Sequence, residues 1–464
     1  MRTGIGWFAN RRAVALCLLI VMVPLLSACN TGGSGGDAWK NDEGWVSWNP
    51  TPQAPVAPAI VSSPVAVGGS SAKLGVATPA SGGKRLPLDF ARILTDSERK
   101  KFQPDEMGLV PIPMYHAFVK DTETKGGATT AGGDGLDQWT RTISEFRADL
   151  QWYYDHDFFV IPMRDYVENA MNVPAGKHPL VLTFDDASTR QAMWIKNSSG
   201  TIMADPESAL GVMEAFSAEH PDFGRGGYFA VLLYNCFNNP DGPAEMADCA
   251  TKLNWMADHG YEIGNHTQGH QDLTDISDDD FRYQIGDPTL WIRAHVPAKA
   301  DMSSVLTLPF GAYPKRDLHP TQWEYLVDGF SYQGEAINLE GILQVNGGPA
   351  MSPVNAKWDR YGIARFNTDP EVTNYWWSEI ESGELTMYTS DGNPDIVTVP
   401  NALPSTIAGL FDADRMTAKG YTVIQYDPAT GSVSAPKSAF SRWSLTAILE
   451  QPVSIPDRLQ AAGW

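Results

Sequence analysis

The stretch Pro179-Leu180-Val181-Leu182-Thr183-Phe184, followed directly by Asp185-Asp186, decides the fold of this 464-residue chain. Its continuous apolar run predicts a buried strand. Two acidic residues follow at the point where that strand ends. Because α/β barrels build their sites at the carboxyl ends of their strands, these acids are candidates for a functional site.

Apolar strands and helical patterns alternate on both sides of this stretch. Further buried strands are predicted over segments 111–116, 158–162, 227–233, 261–266 and 305–311. Helices are predicted after the capping box of Thr142 and Glu145, and over segments 165–171, 209–218 and 244–259. This alternation predicts an α/β fold with a parallel sheet, either open or closed into a barrel.

A pair of histidines supplies the second half of the candidate site. His266 and His270 lie four residues apart, and a carboxylate from another strand end can join them on one ion. The other adjacent carboxylate is then available as a base, which together with an open metal position suffices to hydrolyse an amide or an ester. Zn²⁺ is the predicted ion, and Co²⁺ or Ni²⁺ fit the same ligands. The competing interpretation is a helix cap and two surface histidines.

The composition restricts the classes of partner. The hydrophobic fraction of 43% is ordinary for a globular protein with a substantial core. The formal net charge is -21, and binding of nucleic-acid phosphates requires clustered Lys and Arg. A nucleic-acid partner is therefore not expected.

The N-terminal segment predicts export and a lipid anchor. Arg11-Arg12 precede the apolar run 13–26, which is too short for a membrane span and is typical of a signal peptide. Leu26-Ser27-Ala28-Cys29 then resembles a bacterial lipobox, so residues 1–28 are predicted to be removed and Cys29 to be acylated. Asn30 favours the outer membrane or outer leaflet. The alternative is an ordinary cleaved signal with an incidental cysteine.

The rest of the chain divides by composition into three parts. Residues 29–88 are rich in Gly, Pro and Ser, which predicts a disordered tether. Residues 89–400 are predicted to form the catalytic domain, and residues 401–464 a C-terminal extension that packs on it. In an exported protein, Cys236 and Cys249 are expected to form a disulfide, with two free buried thiols as the alternative.

The motifs together resemble a known family. Thr183-Phe184-Asp185-Asp186, Asn265-His266-Thr267-x-x-His270 and Leu308-Pro309-Phe310-Gly311, in that order, resemble the polysaccharide deacetylases of carbohydrate esterase family 4. The resemblance implies the NodB homology fold, a distorted (β/α) barrel. Pro113-Met114-Tyr115-His116 is similar to the branch that includes the exported poly-N-acetylglucosamine deacetylases, in which the motif order is permuted. The resemblance spans about residues 111–365.

The resemblance assigns roles to individual residues. Asp185 matches the family's general base, and His116 matches the general acid of the permuted branch. The family's metal ligands correspond to Asp186, His266 and His270.

Further residues are expected around the substrate. The loop with Pro309 and Phe310 is expected to supply an oxyanion donor. Trp376 is a candidate for stacking on a sugar ring, with core packing as the alternative.

The chain departs from the family pattern at two positions. The family's glycine after Thr-Phe-Asp-Asp is Ala187 here, which is strained if the position requires a positive φ. The arginine that many members place before the proline of the third motif is Thr307 here. Arg365, which resembles a late arginine of the permuted branch, is a candidate to replace it, and a structural ion pair is its alternative.

The expected function is removal of acetyl groups from N-acetylated sugars of an envelope or extracellular polysaccharide. Acetylated glycan and, through the lipid anchor, a membrane are the expected partners. Two alternatives remain open: an O-acetyl esterase or non-sugar amidase with the same site, and an inactive glycan-binding lipoprotein.

Overall fold

The structure is a computed structural model that describes residues 39–41, 44–46, 92–123, 139–239, 241–404 and 409–433. The chain divides into two compact units, residues 1–71 and residues 72–464. In the first unit, the described backbone is an antiparallel pair of short strands in which Trp39 lies opposite Val46. The predicted signal peptide, Cys29 and most of the predicted tether lie outside the described residues.

Helices occur throughout the described part of the second unit. They are α1 (Asp96–Phe102), α2 (Ile143–Asp155), α3 (Met163–Val167), α4 (Ala209–Glu219), α5 (Cys249–Asp258), α6 (Asp278–His295), α7 (Pro320–Asp328), α8 (Pro370–Glu381) and α9 (Ala413–Ala418). The predicted capping box is present at α2, where Thr142 and Glu145 exchange hydrogen bonds with each other's backbone N–H.

Most strands are short and many alternate with these helices. They are β1 (Trp39–Asn41), β2 (Gly44–Val46), β3 (Pro113–Tyr115), β4 (Ala117–Val119), β5 (Thr140–Thr142), β6 (Phe158–Val160), β7 (His178–Leu180), β8 (Thr183–Phe184), β9 (Trp194–Lys196), β10 (Ile202–Ala204), β11 (Tyr228–Val231), β12 (Glu262–Asn265), β13 (Asp301–Thr307), β14 (Phe330–Tyr332), β15 (Glu335–Ile337), β16 (Gly341–Gly347), β17 (Ile363–Asn367), β18 (Ile396–Pro400) and β19 (Thr422–Tyr426).

Within the described residues, seven strands form a closed barrel in the order β11-β12-β13-β16-β17-β3-β8. Every neighbouring pair in this barrel is parallel. The predicted α/β fold is confirmed, and the sheet is closed rather than open. Because parallel strands all end at one rim, the polar residues that follow them converge there.

The register of three strands fixes the level of the site. β8 lies between β3 and β11, and both Tyr115 and Phe229 lie opposite Phe184. The rings of Phe184 and Phe229 stack with their centroids 4.5 Å apart inside the main apolar core. The residues that follow β3 and β8, His116 and Asp185, therefore leave the barrel at the same height.

Two predicted helices have different bounds in the structure. The segment 244–259 contains a 3₁₀ turn at 244–246 and then α5, because the Asp248 carboxylate caps a new helix by accepting from the Thr251 N–H. The helix predicted over 165–171 is α3, which begins directly after Pro162 and ends at Val167.

The C-terminal part of the described chain adds a small parallel sheet. β18 pairs with β19, with Ile396 opposite Thr422. A strand before the predicted boundary at residue 400 thus pairs with a strand after it, and most of residues 432–464 lie outside the described residues. Among the helices described, none has the length and apolarity needed to cross a bilayer.

Candidate active site

The two adjacent acids leave the barrel through an unusual turn. Asp186 and Ala187, the residues after Asp185, have φ values of 79° and 52°, in the left-handed region. Successive side chains of a strand point to opposite faces, whereas this turn brings both carboxylates to the same rim. The turn explains how Asp185 and Asp186 can serve one site.

Asp186 meets the two histidines. Its Oδ1 lies 3.2 Å from His266 Nε2 and 3.5 Å from His270 Nε2. One ligand atom from each of the three residues lies within 4.8 Å of the others. All three side chains are largely buried. The strand end of β8 and the loop after β12 thus place three potential metal ligands around one point.

The second ring nitrogen of His266 is already committed. His266 Nδ1 lies 3.0 Å from the carbonyl oxygen of Thr307, to which it donates when it carries the proton. In that neutral tautomer the lone pair of Nε2 faces Asp186, whereas in the charged imidazolium Nε2 donates to Asp186 Oδ1. A histidine that donates its other N–H to a backbone carbonyl is the usual arrangement at protein metal sites.

The protonation states of Asp186 and His270 suit a metal ligand set. Burial would raise the pKa of Asp186, but the hydrogen bond from His266 and the histidine charges lower it well below its usual range. Burial lowers the pKa of His270 to about 4, so its imidazole is neutral at physiological pH. Burial would lower the pKa of His266, but its hydrogen bond to Asp186 raises it, so a bound cation would have to displace the Nε2 proton. Tetrahedral Zn²⁺ with bonds of about 2.1 Å requires ligand atoms roughly 3.4 Å apart. The separations of 3.2 Å and 3.5 Å between Asp186 Oδ1 and the two Nε2 atoms fit that requirement.

The second carboxylate, Asp185, is held by Arg365. The guanidinium donates from Nη1 to Oδ1 and from Nη2 to Oδ2, each at 2.8 Å. Both side chains are almost fully buried. Burial would raise the pKa of Asp185, but the charge and hydrogen bonds of Arg365 lower it, so Asp185 stays ionised.

His116 faces the same carboxylate from β3. Its Nε2 lies 3.9 Å from Asp185 Oδ2, and its Nδ1 is buried with no hydrogen-bond partner among the described residues. The ring meets Trp139 edge-on with a centroid distance of 4.7 Å. Burial lowers the pKa of His116, although Asp185 and Asp186 oppose the shift.

Two of the expected substrate residues lie in different surroundings. Phe310 is 57% exposed in a left-handed conformation (φ 58°), and its ring centroid lies 4.6 Å from that of His270. Pro309 is buried directly before it. The half-buried Trp376 instead packs over Gly348, near Phe366 of the barrel, and edge-on against Tyr375 of its own helix.

The two departures from the family pattern have structural explanations. Ala187 does occupy a left-handed position, and it is fully buried there. At Thr307 the carbonyl supports His266, while the hydroxyl lies 3.3 Å from the Tyr228 hydroxyl. The arginine that pairs with Asp185 is therefore Arg365 on β17, and not a residue at the end of β13.

Other residues at this rim were not identified from the sequence. Trp139 and Tyr234 belong to no recognised motif, and Tyr234 is 60% exposed. Although the residue is largely exposed, partial desolvation and the charge of Asp186 raise the pKa of Tyr234 to about 12. Asn235 donates from Nδ2 to the Asp186 carbonyl at 3.1 Å. For Tyr234 and Asn235, a position after the end of β11 was the one available signal, whereas Trp139 lies directly before β5.

Cys236 and Cys249 are joined in a disulfide with a Cα–Cα distance of 5.8 Å. Cys249 is the first residue of α5, and Cys236 lies in the loop after β11. The disulfide therefore attaches that loop, which contacts the Asp186 turn, to a helix outside the barrel.

A family match accompanies this geometry. Residues 238–320 match the family model described as polysaccharide deacetylase. The chain carries a polysaccharide deacetylase segment. That segment includes His266, His270 and the loop with Phe310, and it confirms the predicted family.

Several solved deacetylase structures are similar to the chain at low identity. The Streptococcus pyogenes deacetylase PplD, in complex with acetate, is 16% identical, with 59% of this chain and 97% of that chain covered and a TM-score of 0.39. IcaB from Ammonifex degensii is 15% identical, with 58% and 97% covered and a TM-score of 0.36. A de-N-acetylase from Aggregatibacter actinomycetemcomitans is 13% identical, with 57% and 99% covered and a TM-score of 0.36. No curated protein matches the chain in sequence.

Proposed function

We propose that this polysaccharide deacetylase relative is a metal-dependent hydrolase that removes acetyl groups from N-acetylated sugars of an envelope or extracellular polysaccharide. One observation carries the proposal. Asp186, His266 and His270 converge on one point. The ionised Asp185 lies beside them and is paired with the Arg365 guanidinium.

The metal would be held by Asp186, His266 and His270, with Zn²⁺ as the proposed ion. When bound, a divalent cation supplies a Lewis acid that polarises an acetyl carbonyl and acidifies a water molecule. Asp185 is the proposed base that removes a proton from that water. Arg365 fixes both carboxylate oxygens, so the base has one orientation toward the triad.

His116 is the proposed proton donor to the departing amine. An amine leaves poorly unless it is protonated, so an amide substrate needs such a donor. Because burial lowers its pKa, His116 begins as a neutral imidazole. Its Nε2 lies 3.9 Å from Asp185 Oδ2, which is beyond hydrogen-bond distance. One bridging water molecule would let it receive the proton that Asp185 has collected, and it would then release that proton to the amine.

A sugar polymer suits the rim of the site. Phe310 and Tyr234 expose aromatic rings close to the triad, and Trp139 lies against His116. Aromatic faces bind the apolar faces of flat rings through dispersion and area burial. The open position of these rings favours a substrate that lies across the surface, as a glycan chain does.

The proposed location is the bacterial cell envelope, with the enzyme exported and anchored through acylated Cys29 to the outer membrane or the outer leaflet. The lipobox resemblance at Leu26-Ser27-Ala28-Cys29 supports this part of the proposal. Labelling with a radioactive or clickable fatty acid tests it: incorporation is expected in the native chain and not in Cys29→Ala.

Acetate release from chitin-like and peptidoglycan-like oligomers tests the proposed reaction. The native protein should release acetate, and Asp185→Asn should not. Asp279→Asn is the matched control, because Asp279 is exposed on α6 and pairs with Arg282. Free amine in the product identifies N-deacetylation, and free hydroxyl identifies the esterase alternative. Glycan binding without any acetate release would instead support the inactive alternative.

A further inference from the structure

Residues 185–187 form the turn after β8, here called the Asp186 turn. Its three consecutive carbonyl groups accept hydrogen bonds from neighbouring loops. The Asp185 carbonyl accepts from Gln191 Nε2, and the Asp186 carbonyl accepts from Asn235 Nδ2 at 3.1 Å. The Ala187 carbonyl accepts from the Phe237 N–H at 2.7 Å. Because Asp186 and Ala187 both have left-handed backbones, external bonds of this kind are what maintain the turn.

Two of these three bonds come from one short segment, residues 235–237, which we call the support loop. The support loop has an unfavourable backbone of its own, with φ values of 38° at Cys236 and 53° at Phe237. Residues in this region persist only where the surroundings determine their conformation. The support loop therefore needs attachments elsewhere before it can hold the Asp186 turn.

Helix α5 supplies those attachments from its first turn. Lys252 Nζ donates to the carbonyls of Cys236 at 3.0 Å and of Phe237 at 2.9 Å. Cys249, three residues earlier, forms the disulfide with Cys236. The Phe237 ring is fully buried between Trp194 and Phe229. A buried lysine usually forms an ion pair with a carboxylate. The Lys252 ammonium group instead donates hydrogen bonds to two carbonyl groups of the support loop.

We propose that Asn235 and Lys252 are positioning residues for the cation site, which set its affinity for a divalent cation without contacting the cation. They act through the support loop, which keeps the Asp186 carboxylate aimed at His266 and His270. The inference rests on the proposed metal-dependent function. The disulfide acts on the same loop, so its reduction removes one of two α5 attachments and weakens the site in the same direction.

Zinc affinity, measured by competition with a chromophoric chelator, tests the proposal. Asn235→Ala removes the bond to the Asp186 carbonyl, and Lys252→Met removes both loop bonds while keeping the length of the side chain. Each variant is expected to bind Zn²⁺ about 10-fold more weakly, as is typical when a group that orients a metal ligand is removed. Lys252→Arg, which keeps its donors, should restore most of the affinity.

A matched control separates positioning from general stability. Asn254 Nδ2 also donates to two backbone carbonyl groups, those of Ala250 and His295. Neither of these residues belongs to the support loop or the Asp186 turn. Asn254→Ala should lower the melting temperature of the metal-free protein without changing zinc affinity by more than about twofold. If Lys252→Met does not fold, Asn235→Ala decides the matter alone, because Asn235 is only partly buried.

The outcomes distinguish this inference from the function on which it rests. If the folded native protein binds no zinc, the proposed function fails and the positioning role fails with it. If the native protein binds zinc and Asn235→Ala and Lys252→Met bind it equally tightly, the positioning role alone is overturned. Affinity losses in those two variants that Asn254→Ala does not share support it.

Discussion

Two pairs of buried carboxyl groups in this molecule have opposite charge properties. Asp185 and Asp186 lie at the end of β8, while Glu106 and Asp391 lie between the segment before β3 and the loop before β18. All four residues are at most 9% exposed. The pKa values of the first pair are lowered, whereas burial raises that of Asp391 to about 6 and that of Glu106 well above its usual range.

The difference lies in the partners. Arg365 and three histidines, His116, His266 and His270, surround the first pair, and their interactions with the two carboxylates outweigh the effect of burial. The second pair is bonded chiefly to neutral donors: Asp391 accepts from the Thr398 hydroxyl, and Glu106 Oε1 accepts from the Asp391 N–H at 3.3 Å. The charge of Asp391 then raises the pKa of Glu106 further.

This comparison shows that burial alone does not mark a functional carboxylate. A buried acid that keeps its charge beside cationic groups can act as a ligand or a base. A buried acid that gains a proton instead serves as a hydrogen-bonding element of the core.

Neutralising one acid of each pair should affect activity to very different extents. Asp185→Asn removes the proposed base, so acetate release should fall by about 100-fold or more. Glu106→Gln imitates the protonated acid and should leave acetate release per folded chain within about twofold of native. Equal losses in the two variants would contradict the division.

Removing the Arg365 guanidinium, which pairs with Asp185, should destabilise the fold. Arg365→Met leaves Asp185 buried and unpaired, at a cost of about 3 kcal/mol or more in the free energy of unfolding. Urea unfolding measures the cost, and Asp185→Asn combined with Arg365→Met should recover part of it. Arg282→Met is the control, since this exposed pair with Asp279 should contribute less than about 1 kcal/mol. A loss no larger than that of the control would show that Arg365 is not required by a charged Asp185.

The second pair should make stability depend on pH. The pKa of Glu106 is higher in the folded than in the unfolded chain, so the native state binds more protons above about pH 4.5. Its contribution is present at low pH and is lost as the pH rises, with a slope of at most about 1.4 kcal/mol per pH unit. Glu106→Gln should flatten the dependence of unfolding free energy between about pH 5 and pH 8. An unchanged slope would mean that Glu106 remains ionised.

The smallest expected change in stability concerns the backbone of the Asp186 turn. Ala187→Gly relieves a left-handed alanine by about 1 kcal/mol and loses a buried methyl group worth about 0.8 kcal/mol. Thermal unfolding should therefore change little. Ala230→Gly, in β11, loses a buried methyl without relief and should be destabilised by about 1 to 2 kcal/mol. Similar losses in both variants would show that Ala187 is not strained.

Much of the architecture could be predicted from local patterns. The apolar strands and the acids and histidines at their ends indicated the parallel sheet and placed the candidate residues at its rim. Each of these signals lies within one short segment of sequence. It depends on burial of the strand, which a continuous apolar run indicates directly. The break in the 244–259 helix was missed because the Asp248 cap competes with an otherwise continuous helical pattern.

Contacts between distant segments could not be predicted in the same way. The link from Arg365 to Asp185 joins residues 180 positions apart, and only the family resemblance suggested it. Asn235 and Lys252 act on backbone carbonyls, which carry no sequence signature. The Glu106–Asp391 pair belongs to no motif at all, and its pKa shifts arise only after the chain folds.

Zinc stoichiometry tests the central claim most directly. Metal-depleted protein is titrated with Zn²⁺ in a calorimeter, alongside Asp186→Asn and Glu106→Gln, and bound metal is confirmed by elemental analysis. The account predicts one tightly bound ion per chain in the native protein and in Glu106→Gln, and loss of tight binding in Asp186→Asn. Equal binding in Asp186→Asn, or no binding by the folded native protein, would contradict a cation site formed by Asp186, His266 and His270.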